Sequence, residues 1–376
     1  MGYKGEVEWM NNGNAMIGFT QEREMWEKNP YMLQNKTTGA WEAWWKDDSF
    51  KLAYPGAIPM DDVRKHLLNW EPQEAEIAVK LYVPAGHEDA AGEDEHGTFI
   101  WTSDTEHKAI VRPDTMEVFG YFGRDSYEVH NYEPILEHCE QIAQTELGLA
   151  SVFLMDGGAV FVAGMELPDT IVTEAGIAIR PRLQVSTSMN GRFKTLFKLV
   201  AEIAICSNSF QGNLAGDGKE FKIKHTSRSM GYFGDAMNAL GLVYKGAEDF
   251  SKFLDGMTRV SINDPQFMLI ASTIHQVPAP EIAGGKVTNL RAITTAENKR
   301  DRLVEMWNSD PQVTPWNGTL FGAFQAFNTW NQWERPNQGL KSVIMGNVTD
   351  TFAKQDQEFF DIVAGLDIDL SAMAMA

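Results

Sequence analysis

Cysteine is almost missing from this chain: Cys139 and Cys206 are the only two in 376 residues. That is too few for a disulfide framework, so a reducing compartment is the default expectation. No run of about 18 apolar residues occurs, so no segment reads as a membrane-spanning helix. The opening residues, Met1-Gly2-Tyr3-Lys4-Gly5-Glu6, lack the apolar stretch of a signal peptide. Positive charge is scarce too. There are 32 Lys and Arg against 52 Asp and Glu, a net charge of −20. Such a balance argues against a general nucleic-acid binder.

Catalytic motifs are also lacking. A phosphate loop needs Gly, four residues, then Gly-Lys-Ser/Thr. The nearest candidate, residues 212–219, has the wrong spacing, and Glu220 follows its lysine. There is no nucleophile elbow and no His-Glu-x-x-His helix. His130 with Glu137-His138-Cys139-Glu140 is the best metal candidate. Its adjacent His138 and Cys139 diverge around a helix, where two ligands on one face need a spacing of three or four. Asp61-Asp62 and Glu93-Asp94-Glu95 offer carboxylates for a Mg²⁺ nuclease, but at such positions acidic surface or helix capping is commoner. No catalytic residue, metal ligand or cofactor is assigned.

What is present is a patterned hairpin in residues 177–200. Ile177, Ile179, Leu183 and Val185 are odd-numbered, while Arg180, Arg182, Gln184, Ser186 and Ser188 are even. This period of two marks a strand with one buried and one wet face. After Met189-Asn190-Gly191, Arg192, Lys194 and Lys198 are even and Phe193, Phe197 and Leu199 odd, with Leu196 the exception. A three-residue loop with Gly191 at positive φ pairs even positions with even ones. Arg180, Arg182, Arg192, Lys194 and Lys198 then share one solvated face. Between residues 171 and 230 there are nine basic and four acidic residues, an island of opposite sign in an acidic chain. The island suits a polyanion. The plainer reading is a wet strand face whose charges discourage edge pairing.

The expected fold class is α+β: an antiparallel β-meander with helices packed on one face, an N-terminal arm and C-terminal helices. Residues 1–55 form a Trp-rich arm, and residues 56–340 a single domain with its sheet at about 99–205 and its helical part at about 226–335. Residues 341–376 read as an acidic tail. Short helices or strands are expected near 60–69, 76–83, 99–101, 109–111 and 117–122, and a helix from Pro134. An apolar hairpin should turn at Asp156-Gly157-Gly158. Further helix is expected from Thr226 and over 246–258, 263–276, 294–308 and 322–336. In the last of these, Phe321, Phe324, Phe327, Trp330 and Trp333 recur every third residue. That spacing makes a broad buried stripe rather than a stacking platform for bases.

Several short motifs occur in a telling order. They are Ile110-Val111-Arg112-Pro113-Asp114, Gly120-Tyr121-Phe122-Gly123 with residues 127–131, Ser188-Met189-Asn190-Gly191-Arg192, Ile205-Cys206-Ser207-Asn208-Ser209, Lys224-His225-Thr226, and residues 314–335. Together they resemble the phage/plasmid-like protein family, a domain of unknown function common in phages of actinobacteria. The resemblance covers about residues 56–340. It departs at the hairpin tip, where Met189, Asn190 and Arg192 replace the family's His, Asp and Ser. It implies a mobile-element protein working in a bacterial cytoplasm. The strand meander followed by a helix is similar to the core of single-strand annealing proteins of the RecT and Red-beta class, a fold-level analogy. The expectation is therefore a single-stranded DNA-binding and annealing protein that hydrolyses no nucleotide. Arg180, Arg182, Arg192, Lys194 and Lys198 would neutralise phosphates, and Lys222, Lys224, His225 and Arg228 would line the rim. Expected partners are single-stranded DNA, further copies in a ring or filament, and a phage exonuclease or host single-strand-binding protein. The rival expectation is an acidic interaction protein, either a host-system inhibitor or a DNA mimic; a metal-dependent nuclease comes third.

Overall fold

The computed structural model describes residues 15–17, 33–34, 41–42, 54, 56–143, 147–167, 171–203, 208–210, 220–223, 239–283, 286–310, 313–334, 340–371 and 373. Three short strands come first: β1 Ala15–Ile17, β2 Leu33–Gln34 and β3 Trp41–Glu42. Helix α1, Met60–His66, precedes a small sheet of β4 Gln73–Tyr82, β5 Gly92–Asp94, β6 Gly97–Arg112 and β7 Glu117–Gly123. Helix α2, Tyr132–Ala143, leads into the hairpin of β8 Gly148–Met155 and β9 Val160–Glu166. Then come β10 Ile171–Val172, β11 Ala178–Ser188, β12 Thr195–Ile203, β13 Asn208–Phe210 and β14 Glu220–Ile223. The helical half holds α3 Ala239–Arg259, α4 Asp264–Ile274, the short strands β15 Ile282–Ala283 and β16 Lys286–Val287, and α5 Leu290–Ser309. It closes with α6 Leu320–Thr329, a π-helical turn at Trp330–Glu334, α7 Leu340–Val348 and α8 Thr351–Ala364.

The expected α+β class holds. The main sheet runs β1-β8-β9-β11-β12-β13, with β10 on β11 and β14 on β12. All of its pairings are antiparallel. The apolar hairpin turns at Asp156–Gly158 as the sequence predicts, and it is central. Its strands are buried along nearly their whole length, because both faces are covered.

Helices α1 and α2 cover one face. In α2, Tyr132, Ile135, Leu136, Cys139 and Ile142 recur at helical spacing and form a buried stripe. They join Val63 and Leu67 against Val152, Leu154, Phe161, Met165, Leu183 and Val185 of the sheet. Helix α3 lies at the far end of the same face, where a Cβ on Gly246 would meet the Leu199 side chain at 1.9 Å. A second core joins Phe250 and Leu254 of α3, Phe267 of α4, Trp307 of α5 and all of α6. Helix α6 is buried on every side; most of its residues are apolar, and Gln325, Asn328 and Thr329 are buried polar ones.

The structure departs from the sequence reading at four places. Strand β6 is one continuous strand of 16 residues where two fragments were expected. Glu93 and Asp94, expected as acidic surface, lie in or at the end of strand β5. Residues 341–376 form α7 and α8 rather than only a tail, because Phe352, Phe359 and Val363 give α8 a buried stripe. Most importantly, the second face of the main sheet is buried rather than wet. Of the Trp-rich arm, β1 pairs with β8 and buries Met16. Most of the arm, and the helix expected from Thr226 as far as residue 238, lie outside the described residues.

The small sheet is fastened to one end of the main sheet by close backbone approach. Gly158 has φ 111°, and a Cβ there would meet Trp70 at 2.8 Å and Arg112 at 2.9 Å. Gly191 has φ 71°, and a Cβ there would meet Phe122 at 2.7 Å. Both positions need glycine for its conformation and for its lack of bulk.

The aromatic stripe of α6 is structural as expected. Phe321 and Phe324 are fully buried, Phe327 and Trp330 nearly so. The side chain of Trp333 lies outside the described residues. Trp330→Ala should cost about 3–5 kcal/mol, from the packing it forfeits and the cavity it leaves behind. A denaturant titration reads this as a lower midpoint at unchanged slope.

Candidate functional site

Strand register decides which hairpin residues meet. In β11 and β12, Arg180 faces Glu202, Arg182 faces Val200, Gln184 faces Lys198 and Ser186 faces Leu196. Even positions pair with even ones, as the alternation predicts. The pairing is offset by two residues from a three-residue loop, and residues 189–194 connect the strands. On the other side of β11, Arg182 faces Glu166 and Gln184 faces Gly164. Gly164 in turn faces Ser151 of β8. One row across four strands thus reads Ser151, Gly164, Gln184 and Lys198, with Arg182 and Glu166 in the next row.

This polar face is not solvated. Arg180, Gln184, Ser186, Ser188, Ser151 and Lys198 are all buried. Arg182 Nε lies 3.4 Å from Glu166 Oε1, and that carboxylate is 1% exposed. Lys198 Nζ donates to Asp350, in the turn between α7 and α8. Burial explains the pairing, since an isolated buried charge is far costlier than a paired one. Among the described residues, Gln184 Nε2 and Ser186 Oγ on this face meet no hydrogen-bond partner. Leaving such a group unmet costs about 1–3 kcal/mol, which is unusual in the middle of a sheet.

Only the tip keeps the expected exposure. Arg192 and Lys194 face solvent, and Arg192 reaches Asp156 at 3.3 Å. So of the five basic residues expected on a wet face, Arg192 and Lys194 are exposed, Arg182 is partly exposed, and Arg180 and Lys198 are buried. Lys222 lies on β14 opposite Leu196. Lys224, His225 and Arg228 lie outside the described residues, as does the segment 212–219.

The tip brings together two motifs that are far apart in sequence. Phe122 stacks on Tyr127, with ring centroids 3.8 Å apart. The Tyr127 hydroxyl donates toward the carbonyls of Ser188 and Met189, each at 3.4 Å. Its burial pushes the phenol well above its ordinary range. Met189, at the position where the resembled family has His, is fully buried in the main core.

The remaining candidates have structural partners. His130 is buried with Nδ1 2.6 Å from Thr195 Oγ1, which lies 2.7 Å from Thr187 Oγ1. His138 Nδ1 sits 2.8 Å from the Pro134 carbonyl. Burial pushes the Cys139 thiol up to about 12, far from the reactive thiolate range. Asp61 pairs with Arg64, Asp62 accepts from Tyr54, and Asp94 accepts from Lys80. Among the described residues no cluster of three His, Cys, Asp or Glu side chains could hold a metal ion. No described helix is long and apolar enough to cross a membrane.

Residues 122–359 match the model of a family described as a domain of unknown function, DUF932. The chain belongs to that family. The match takes in the main sheet from α2 onward and most of the helical half. It begins at Phe122, so nearly all of the small sheet precedes it. No curated protein and no solved structure matches the chain.

Sequence reasoning missed Glu166, Gln184 and Ser186 as a set. One signal was available: Glu166 is the lone charge ending the apolar run of β9, and it is even-numbered like Arg182. If Glu166 neutralises Arg182, Glu166→Gln should destabilise the DUF932 fold by about 3–5 kcal/mol, the usual result of breaking a buried pair. Combining it with Arg182→Met should recover part of that loss. A double-mutant cycle in urea measures the coupling, and additive losses would show that the pair is not coupled.

Proposed function

We propose that this chain binds and anneals single-stranded DNA as a phage-encoded protein of the bacterial cytoplasm, without hydrolysing nucleotide. The observation that carries the reading is the even-numbered face of β11 and β12. It gathers Arg180, Arg182 and Lys198 in adjacent rows and leads to exposed Arg192 and Lys194 at the tip. Gln184 and Ser186 add unmet polar atoms on the same face. Once opened to solvent, a face of this kind would hold a backbone by its phosphates, and annealing asks for no catalytic group.

Arg182, Lys198 and Arg192 already have carboxylates beside them, so at these positions a phosphate must exchange for a carboxylate. Asp350 is the one suited to leave. It is 34% exposed in a turn, whereas Glu166 is 1% exposed inside the sheet. Asp350→Asn should therefore tighten binding of a labelled oligothymidine. Asparagine also tolerates the left-handed backbone there, φ 59°. Lys198→Gln should weaken binding and flatten the dependence on salt, by a slope of about 0.7 for the one phosphate no longer neutralised. Fluorescence anisotropy over a salt series reads both. If the two variants match the parent throughout, the face is only structural.

Annealing proteins of this kind work as rings or filaments, so the chain should self-associate by a heterologous interface that closes or propagates. Light scattering at micromolar concentration should give a mass well above 42.1 kDa, with and without DNA. A monomer mass in both conditions removes this part of the reading.

A second reading, an acidic interaction protein, is favoured by a separate observation. Between residues 71 and 126, which cover the small sheet, there are thirteen acidic residues and four basic ones. That surface would repel DNA and attract a cationic partner.

A further inference from the structure

The outer half of the small sheet is exposed. Beyond the bulge at Glu76 and Ile77, β4 and β6 are solvated on both faces. Trp101, 56% exposed, lies opposite Lys80 on one face with Tyr82 nearby, while Val79 and Leu81 are exposed on the other. Among the described residues β4 pairs with β6 alone, so the backbone groups along its second edge are open over ten residues. A long edge of this kind is a template for another strand unless something blocks it.

Charge decides what the template would accept. Lys80, Lys108 and Arg112 already sit against Asp94, Glu74 and Asp114. The Lys80 ammonium, with the His96 N–H, holds the Asp94 carboxyl at about 2, so this acid stays ionised at any ordinary pH. Glu76 adds an exposed carboxylate on the strand itself. A second copy would bring like charges together along the edge, and a polynucleotide would meet the same repulsion. A cationic strand meets neither obstacle.

We propose that the free edge of β4 accepts an extended, cationic segment of a partner protein as an added strand. This rests on the acidic-interaction reading and is independent of the DNA reading. The segment alternates with a period of two. Apolar residues cover Val79 and Leu81, and Lys or Arg on the other side meets Glu76 and its neighbours. Backbone bonds supply affinity, and the alternation supplies specificity.

The test titrates the full chain calorimetrically with an alternating Lys-Val peptide, an alternating Glu-Val peptide, polylysine and oligothymidine. Amide hydrogen exchange is followed over residues 73–82. The Lys-Val peptide should bind and slow exchange there, and the Glu-Val peptide should not bind. A variant combining Glu76→Gln, Val79→Thr and Leu81→Thr should lose affinity by about tenfold, about 1.4 kcal/mol summed over the altered cross-strand pairs. Polylysine binding as tightly, with no protection of β4, overturns strand addition while leaving the acidic-interaction reading standing. Failure of both cationic ligands removes the two together. Dimerisation abolished by Leu81→Thr would assign the edge to a second copy, and oligothymidine binding abolished by Trp101→Ala would assign it to nucleic acid. Either result overturns the proposal.

Discussion

A sheet covered on both faces cannot leave charge unmatched, and much of this molecule follows from that. Strands β9, β11 and β12 carry Glu166, Arg180, Arg182 and Lys198 on the face away from α2. Water would make such side chains inexpensive, but burial makes each one dependent on a partner. Arg182 therefore lies against Glu166, and Lys198 reaches Asp350 in the turn between α7 and α8. The second contact joins the sheet to the C-terminal helices across 152 residues of sequence. A basic face thus becomes part of what holds the two halves of the chain together, and any function it has must work through the exchange of those partners.

The small sheet follows the opposite rule. Its outer half is wet on both faces, so its acidic residues keep their hydration and need no partners. It is attached at its inner end, where Gly158 and Gly191 let Trp70, Arg112 and Phe122 approach the backbone. Arg112 adds a hydrogen bond of 2.8 Å to the Gly157 carbonyl and lies over the Trp70 ring at 4.4 Å. The family match begins as this sheet ends, so the acidic surface and the matched segment are separate pieces of architecture. Segments of opposite charge in one chain are consistent with those separate places in the fold.

Much of the fold was readable because it depends on local pattern. Helical spacing in α2, α5 and α6 and the turn at Asp156-Gly157-Gly158 all place elements correctly. Parity also gave the correct shared face for β11 and β12, since a strand's side chains alternate whatever covers them. The stripe of Phe321, Phe324, Phe327 and Trp330 was likewise identifiable as core. The acidic composition of residues 341–376 conceals α8, which the spacing of Phe352, Phe359 and Val363 builds.

By itself, then, the sequence determined most of the elements, the parity of the hairpin and the charge imbalance between segments, all of which depend on neighbours along the chain. Only the tertiary structure decided that the even face of β11 is buried, that Glu166 and Asp350 neutralise its cations, and that the small sheet stays open. Burial is set by what packs from a distance: Asp350 lies 152 positions from Lys198, and no periodicity in one strand reports on a turn so remote. The same alternation of apolar and polar residues describes a wet face and a buried polar one, and only the covering layer distinguishes them.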